Sequence, residues 1–133
     1  MRRATVLVPL ALLAASCGAR SNTPFTAQAS IGCLKEKHFT GATMSPGKVG
    51  FIAGFAANGG IKATAPSRNV VTIAFTQDAD HVEQTEKAFR LHAPPTLRPH
   101  ISDVLRVSRN AVIVWTTAPS TEDEQKVEGC LAS

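Results

Sequence analysis

Four histidines, several clustered carboxylates and one glycine-rich segment are the features of this 133-residue chain whose residue types bear on chemistry. His81 and His92 stand eleven residues apart in one expected helix. Three turns separate them, about 16 Å along the axis, so they cannot ligate one ion together. His38 and His100 would have to converge on one of them through tertiary folding, and solvated or capping histidines are the simpler reading. No metal site is expected. Asp78, Asp80, Glu83 and Glu86 gather at an expected helix start, as Glu122, Asp123 and Glu124 do later in the chain. There a carboxylate accepts free amides and opposes the helix dipole. Acid–base catalysis would need one of them desolvated, and no neighbouring residue indicates burial. Gly54 to Gly60 has part of the spacing of a phosphate-binding loop, but Gly60-Ile61 stands where the phosphate-contacting lysine and its Ser/Thr must follow. No Gly-x-Ser-x-Gly nucleophile motif occurs. These residues predict no catalytic site and no cofactor.

The N-terminus is more specific. Arg2 and Arg3 precede an apolar run from Ala4 to Ala15, which leads through Ser16 to Cys17. The run is short against the roughly 20 residues that a spanning helix needs, and it fits the core of a signal peptide with its positive end on the cytoplasmic side. Ala14-Ala15-Ser16-Cys17 resembles a bacterial lipobox. The resemblance implies that residues 1–16 are removed and that the Cys17 thiol takes a diacylglyceryl group. Residues 17–29, polar and rich in small side chains, then tether the domain to the outer face of a membrane. Two acyl chains, at about 0.8 kcal/mol per buried methylene, hold stably where one does not. Ala14-Ala15-Ser16 also satisfies the small-x-small pattern of ordinary signal peptidase, which would leave a secreted chain with a free Cys17.

With Cys17 assigned to the lipid, Cys33 and Cys130 remain near the two ends of the folded region, in a compartment that permits oxidation. They are expected to pair, and closing so long a loop is worth about 4–5 kcal/mol in the chain-entropy model. The alternative is two buried thiols. A cysteine–histidine metal site fits poorly, because neither cysteine has a second ligand at short spacing. Once Arg2 and Arg3 leave with the signal, twelve basic residues face ten acidic ones. They form no basic run and interleave with no aromatics, so nucleic acid is not an expected partner.

Residues 30–133 read as a single domain. Ser30 to His38 forms a first helix with Ile31 and Leu34 on one face, starting as early as Thr26 on another reading. Val49 to Phe55 reads as a strand, and Asn58-Gly59 turns the chain into Ile61–Ala65. From Ser67 the chain repeats at an offset of 41: Ser-Arg-Asn recurs at 67 and 108, Val71 aligns with Val112, and Thr76 with Thr117. Each unit runs turn, strand, polar cap and helix, with Asp80-x-x-Glu83 and Ser120-x-x-Asp123 as caps. Pro94-Pro95 ends the second helix. The expected fold class is therefore α+β: a four-stranded antiparallel sheet with about three helices on one face. That layout is ferredoxin-like, closed by a disulfide that staples the first helix to the last.

The repeat places Val71, Ile73 and Phe75 in register with Val112, Val114 and Thr116. If these face the helices, Trp115 and Ile113 join Thr72 on an open sheet face, a candidate binding surface. Alternatively Trp115 is core. The Cys33-Leu34 and Cys130-Leu131 helices with strands between them resemble small exported bacterial proteins of unknown function, which implies no activity. The expectation is a cell-envelope lipoprotein acting as a non-catalytic module for an envelope protein or ligand. The alternatives are a small envelope hydrolase or transferase and a soluble secreted protein.

Overall fold

The computed structural model describes residues 23–133. The expected signal peptide, Cys17 and the first part of the expected tether lie outside the described residues. Residues 23–29, expected as the end of the tether, are part of the domain. Helix α1 (Ala27–Glu36) begins where the Thr26 hydroxyl oxygen accepts the Ala29 N–H at 3.1 Å. Just before it, the Phe25 N–H donates to Asn110 Oδ1 and the Thr26 N–H to the Ala132 carbonyl, each at 2.8 Å.

Five strands, not four, form the sheet: β1 (Thr40–Thr43), β2 (Gly60–Thr64), β3 (Val70–Phe75), β4 (Leu105–Ser108) and β5 (Ala111–Trp115). Their order is β1-β2-β3-β5-β4, and every neighbouring pair is antiparallel. The unexpected strand, Thr-Gly-Ala-Thr, is an edge strand with no large apolar residue, so no alternation marks it. Val49 to Phe55 is not a strand. It ends helix α2 (Pro46–Val49) and forms helix α3 (Phe51–Gly54), two single turns separated by Gly50 at φ +93°. A glycine reaches that conformation without steric cost and so breaks the extended run.

Both Ser-Arg-Asn repeats are hairpin turns, with Arg68 and Arg109 at φ +72° and +51°. Their asparagines make reciprocal ties. Asn69 Nδ2 donates to the Thr117 carbonyl at 2.9 Å, and the Thr117 N–H returns to Asn69 Oδ1. Asn110 Nδ2 donates to the Thr76 carbonyl at 2.8 Å, and the Thr76 N–H donates to the Asn110 carbonyl.

The helices lie on both faces of the sheet, which departs from the ferredoxin-like layout. Val71 pairs with Trp115, Ile73 with Ile113 and Phe75 with Ala111, and cross-strand partners share a face. These residues are buried beneath α1 and α6 (Thr121–Cys130). Cys33 and Cys130 are disulfide-bonded there with Cα atoms 5.3 Å apart, so the first and last helices do share a face. On the opposite face, Ala74 packs with Val49 and Ala53, and Phe89 of α4 (Val82–His92) reaches the same cluster. A last turn, α5 (Ile101–Val104), leads into β4. Ser120 caps α6 as expected, accepting the Asp123 N–H at 3.2 Å. Asp80 does not cap α4. Asp78 instead accepts the Asp80 N–H at the head of a 3-10 turn that precedes it.

Reducing the disulfide should lower unfolding stability in urea by about 2–4 kcal/mol without changing the fold. Asn110→Ala is expected to cost about 1–3 kcal/mol, because the half-buried Phe25 N–H and carbonyl lose their side-chain partner together, while the Thr76 carbonyl keeps the Asn58 amide.

Candidate binding site

The open-face arrangement of Trp115, Ile113 and Thr72 does not form. Trp115 and Ile113 are each 1% exposed beneath α6, while Thr72 lies on the other face. The offset of 41 is odd, and antiparallel register pairs odd with odd, so residues aligned by the repeat fall on opposite faces. The glycine-rich segment packs over the Thr72 face.

That cover leaves a cleft of about 390 Å³ between α3 and α4. Thr72 lies at its base, Phe51, Ile52 and Ala53 form one wall, and Phe89 and His92 form the other. A smaller hollow of about 130 Å³ shares Ile52, Phe89 and His92 and continues to Leu97, Ile101 and Val114. Val114 is the cross-strand partner of Thr72, so adjacent residues of β3 and β5 underlie both spaces. The wall formed by α3 is pressed onto the sheet. A Cβ on Gly60 would meet the Ala53 carbonyl oxygen at 2.5 Å, so only glycine admits the contact. The lining is apolar apart from Thr72 and His92, and no carboxylate stands beside the imidazole.

A second hollow, about 270 Å³, lies where the N-terminal segment crosses the β4–β5 turn, lined by Thr23, Asp78, Asp80, Arg109 and Asn110. Here the Asp78 carboxylate contacts His81 Nδ1 at 2.6 Å. The His81 hydrogen bond holds the Asp78 carboxyl below its usual range, helped by the ring's charge and by the Asp80 and His81 amides. An imidazole oriented by a carboxylate has the form of a general base. Both partners are about half exposed, however, and Asp78 also caps its own 3-10 turn.

The remaining sequence candidates scatter. His100 lies 3.8 Å from Asp103, and His38 is exposed at φ +67°. Among the described residues, no three of His, Cys, Asp and Glu come together to hold a metal ion. Glu83 pairs with Lys87 at 2.8 Å and Glu86 with Arg90 at 3.8 Å along α4. Asp123, only 4% exposed, accepts from the Ser67 hydroxyl at 2.5 Å and ties the β2–β3 turn to α6. Sequence reasoning missed the cleft because its walls come from α3, taken as a strand, and from an α4 face identified only by packing.

The Asp78 carboxyl should titrate below an ordinary aspartate in a carbon-detected NMR pH series. Because its folded pKa is depressed, the pair's stabilisation is present above the unfolded carboxylate range and is lost as pH falls through the folded value. His81→Ala should return the Asp78 midpoint towards the ordinary range. Gly60→Ala should cost about 1–3 kcal/mol in stability by displacing α3.

No protein-family model matches this chain, and neither a curated protein nor a solved structure matches it.

Proposed function

We propose that this protein is an exported lipoprotein of a bacterial cell envelope whose domain is a non-catalytic binding module, with the α3–α4 cleft as its site. The observation that carries the binding reading is the lining of that cleft. Ile52, Ala53, Phe89 and Val114 supply apolar walls, and Thr72 and His92 supply two polar groups, the composition of a site for a small, largely apolar ligand. The absence of a carboxylate partner for His92 in that lining favours binding over acid–base chemistry. The envelope reading draws on the lipobox-like Ala14-Ala15-Ser16-Cys17. It draws also on the Cys33–Cys130 disulfide, a bond that persists in oxidising compartments. No helix among the described residues is long and apolar enough to cross a membrane, so within them attachment has no spanning helix to use.

A second reading, a small envelope enzyme, has one observation behind it, the Asp78–His81 contact beside the Arg109 hollow. The capping role of Asp78 accounts for that contact without chemistry.

An anilinonaphthalene sulfonate titration of the mature protein tests the site. We expect saturable binding near one dye per chain. Ile52→Glu, which places a charge on the cleft wall, should weaken it at least about tenfold while the thermal midpoint moves little. Unchanged dye affinity in that variant would remove the cleft as the site. Intact mass of protein from host membranes tests the anchor, with a diacylglyceryl-modified chain starting at Cys17 as the expected species.

A further inference from the structure

We infer that the α2–α3 rim is a second membrane contact, docking on an anionic lipid surface independently of the acyl anchor. Phe51 and Phe55 are 77% and 80% exposed, and their ring centroids lie 5.0 Å apart. Phenylalanine is normally an interior residue, and two in contact on one exposed turn form an apolar protrusion that water solvates poorly. Phe51 opens and Phe55 caps a four-residue helix held to the sheet by the Ala53–Gly60 contact, so the fold presents the pair on a fixed support.

From Lys37 to Gln77 the chain carries no acidic residue, and two of its basic residues, Lys48 and Lys62, stand on the α3 side of the sheet, whereas Lys37 lies beside α6. Lys48 closes α2, immediately before Gly50 and α3. Lys62 is exposed and pairs with Thr72, which places it on the same sheet face as α3. On α4, Glu83 and Glu86 are paired with Lys87 and Arg90. Exposed aromatics flanked by lysines fit the boundary between lipid headgroups and acyl chains. The rings enter the apolar layer and the ammonium groups meet anionic headgroups.

The chain outside the described residues favours the same occupant. Only five residues lie between Cys17 and Thr23, six Cα–Cα steps. At full extension they reach about 20 Å, less than the diameter of a domain this size. A domain held that closely meets the bilayer at a high effective concentration, so a weak surface affinity suffices. This tether argument rests on the envelope reading above, whereas the Phe51–Phe55 surface does not.

The test uses mature protein purified from a bacterial host and checked by intact mass. Phe55→Trp is compared with Gln125→Trp on α6, which packs on the other sheet face. Trp115, buried in both, adds a constant background. In vesicles of phosphatidylethanolamine and phosphatidylglycerol with brominated acyl chains, emission from the Phe55→Trp variant should shift to the blue. Its quenching should be at least about twofold stronger than that of the Gln125→Trp variant. Replacing phosphatidylglycerol by phosphatidylcholine, or combining Lys48→Gln with Lys62→Gln, should lower the quenching by about half or more. Equal quenching in both variants would overturn the docking surface while leaving the anchor intact. A blue shift without lipid that grows with protein concentration would overturn it in favour of a second copy of this chain. Quenching indifferent to lipid charge would overturn the anionic preference. If the mass shows no diacylglyceryl group, the anchor reading fails. The same variants added to preformed vesicles then decide docking by co-sedimentation.

Discussion

The antiparallel register of β3 against β5 is the constraint on which the remaining architecture depends. With Val71 opposite Trp115 and Ile73 opposite Ile113, the odd-numbered residues of both central strands share one face. That face collects the largest buried side chains, Trp115, Phe75, Ile73 and Ile113, and requires a continuous apolar cover. Helices α1 and α6 provide it. The even-numbered face is built from smaller residues, Thr72, Ala74, Val112 and Val114, and smaller residues allow a shallower cover. Two single-turn helices and α4 lie there, and they do not close completely over Thr72. The cleft follows from this difference in side-chain volume between the two faces. A one-residue slip of register would exchange the faces and remove it.

Two devices hold the register from outside the strands. The reciprocal asparagine ties each lock one hairpin turn to the segment that follows the other hairpin, so the two hairpins cannot slide past one another without losing both sets of bonds. Asn110 does more, because its amide also binds the Phe25 backbone through both its oxygen and its nitrogen. A buried amide with all of its groups satisfied specifies one arrangement, since every displacement leaves a polar atom unpaired in a low-dielectric interior. The disulfide then couples α1 to α6 across a sequence separation of 97, limiting chiefly the unfolded chain. Together these contacts fix the first described residues against the domain, which sets where any tether leaves it.

Much of the element order was legible. Strand β2 lies within one residue of the expected Ile61–Ala65 run, and β3 and β5 follow the two Ser-Arg-Asn segments, which are turns. The last helix carries its Ser120 cap where expected. The failures share a cause. β1 has too little hydrophobic contrast to announce a period, and Val-Gly-Phe-Ile-Ala-Gly-Phe is apolar at every spacing, so neither a period of 2 nor one of 3.6 is excluded. Its outcome was decided by Gly50 at positive φ, by the close approach of Ala53 to Gly60, and by the packing of Val49 and Ala53 on Ala74 of the sheet.

The sequence alone determined what depends on local preference and composition: an α+β chain of short strands joined by turns, helices begun by caps, and two cysteines placed to join its ends. Tertiary structure decided which face each residue occupies. Side-chain direction alternates along a strand, but the register between strands sets its absolute sense, and register is a property of paired chains. Trp115 therefore went to the core and Thr72 to the cleft, and the segment with the weakest pattern became the wall of the site and carried Phe51 and Phe55 into solvent.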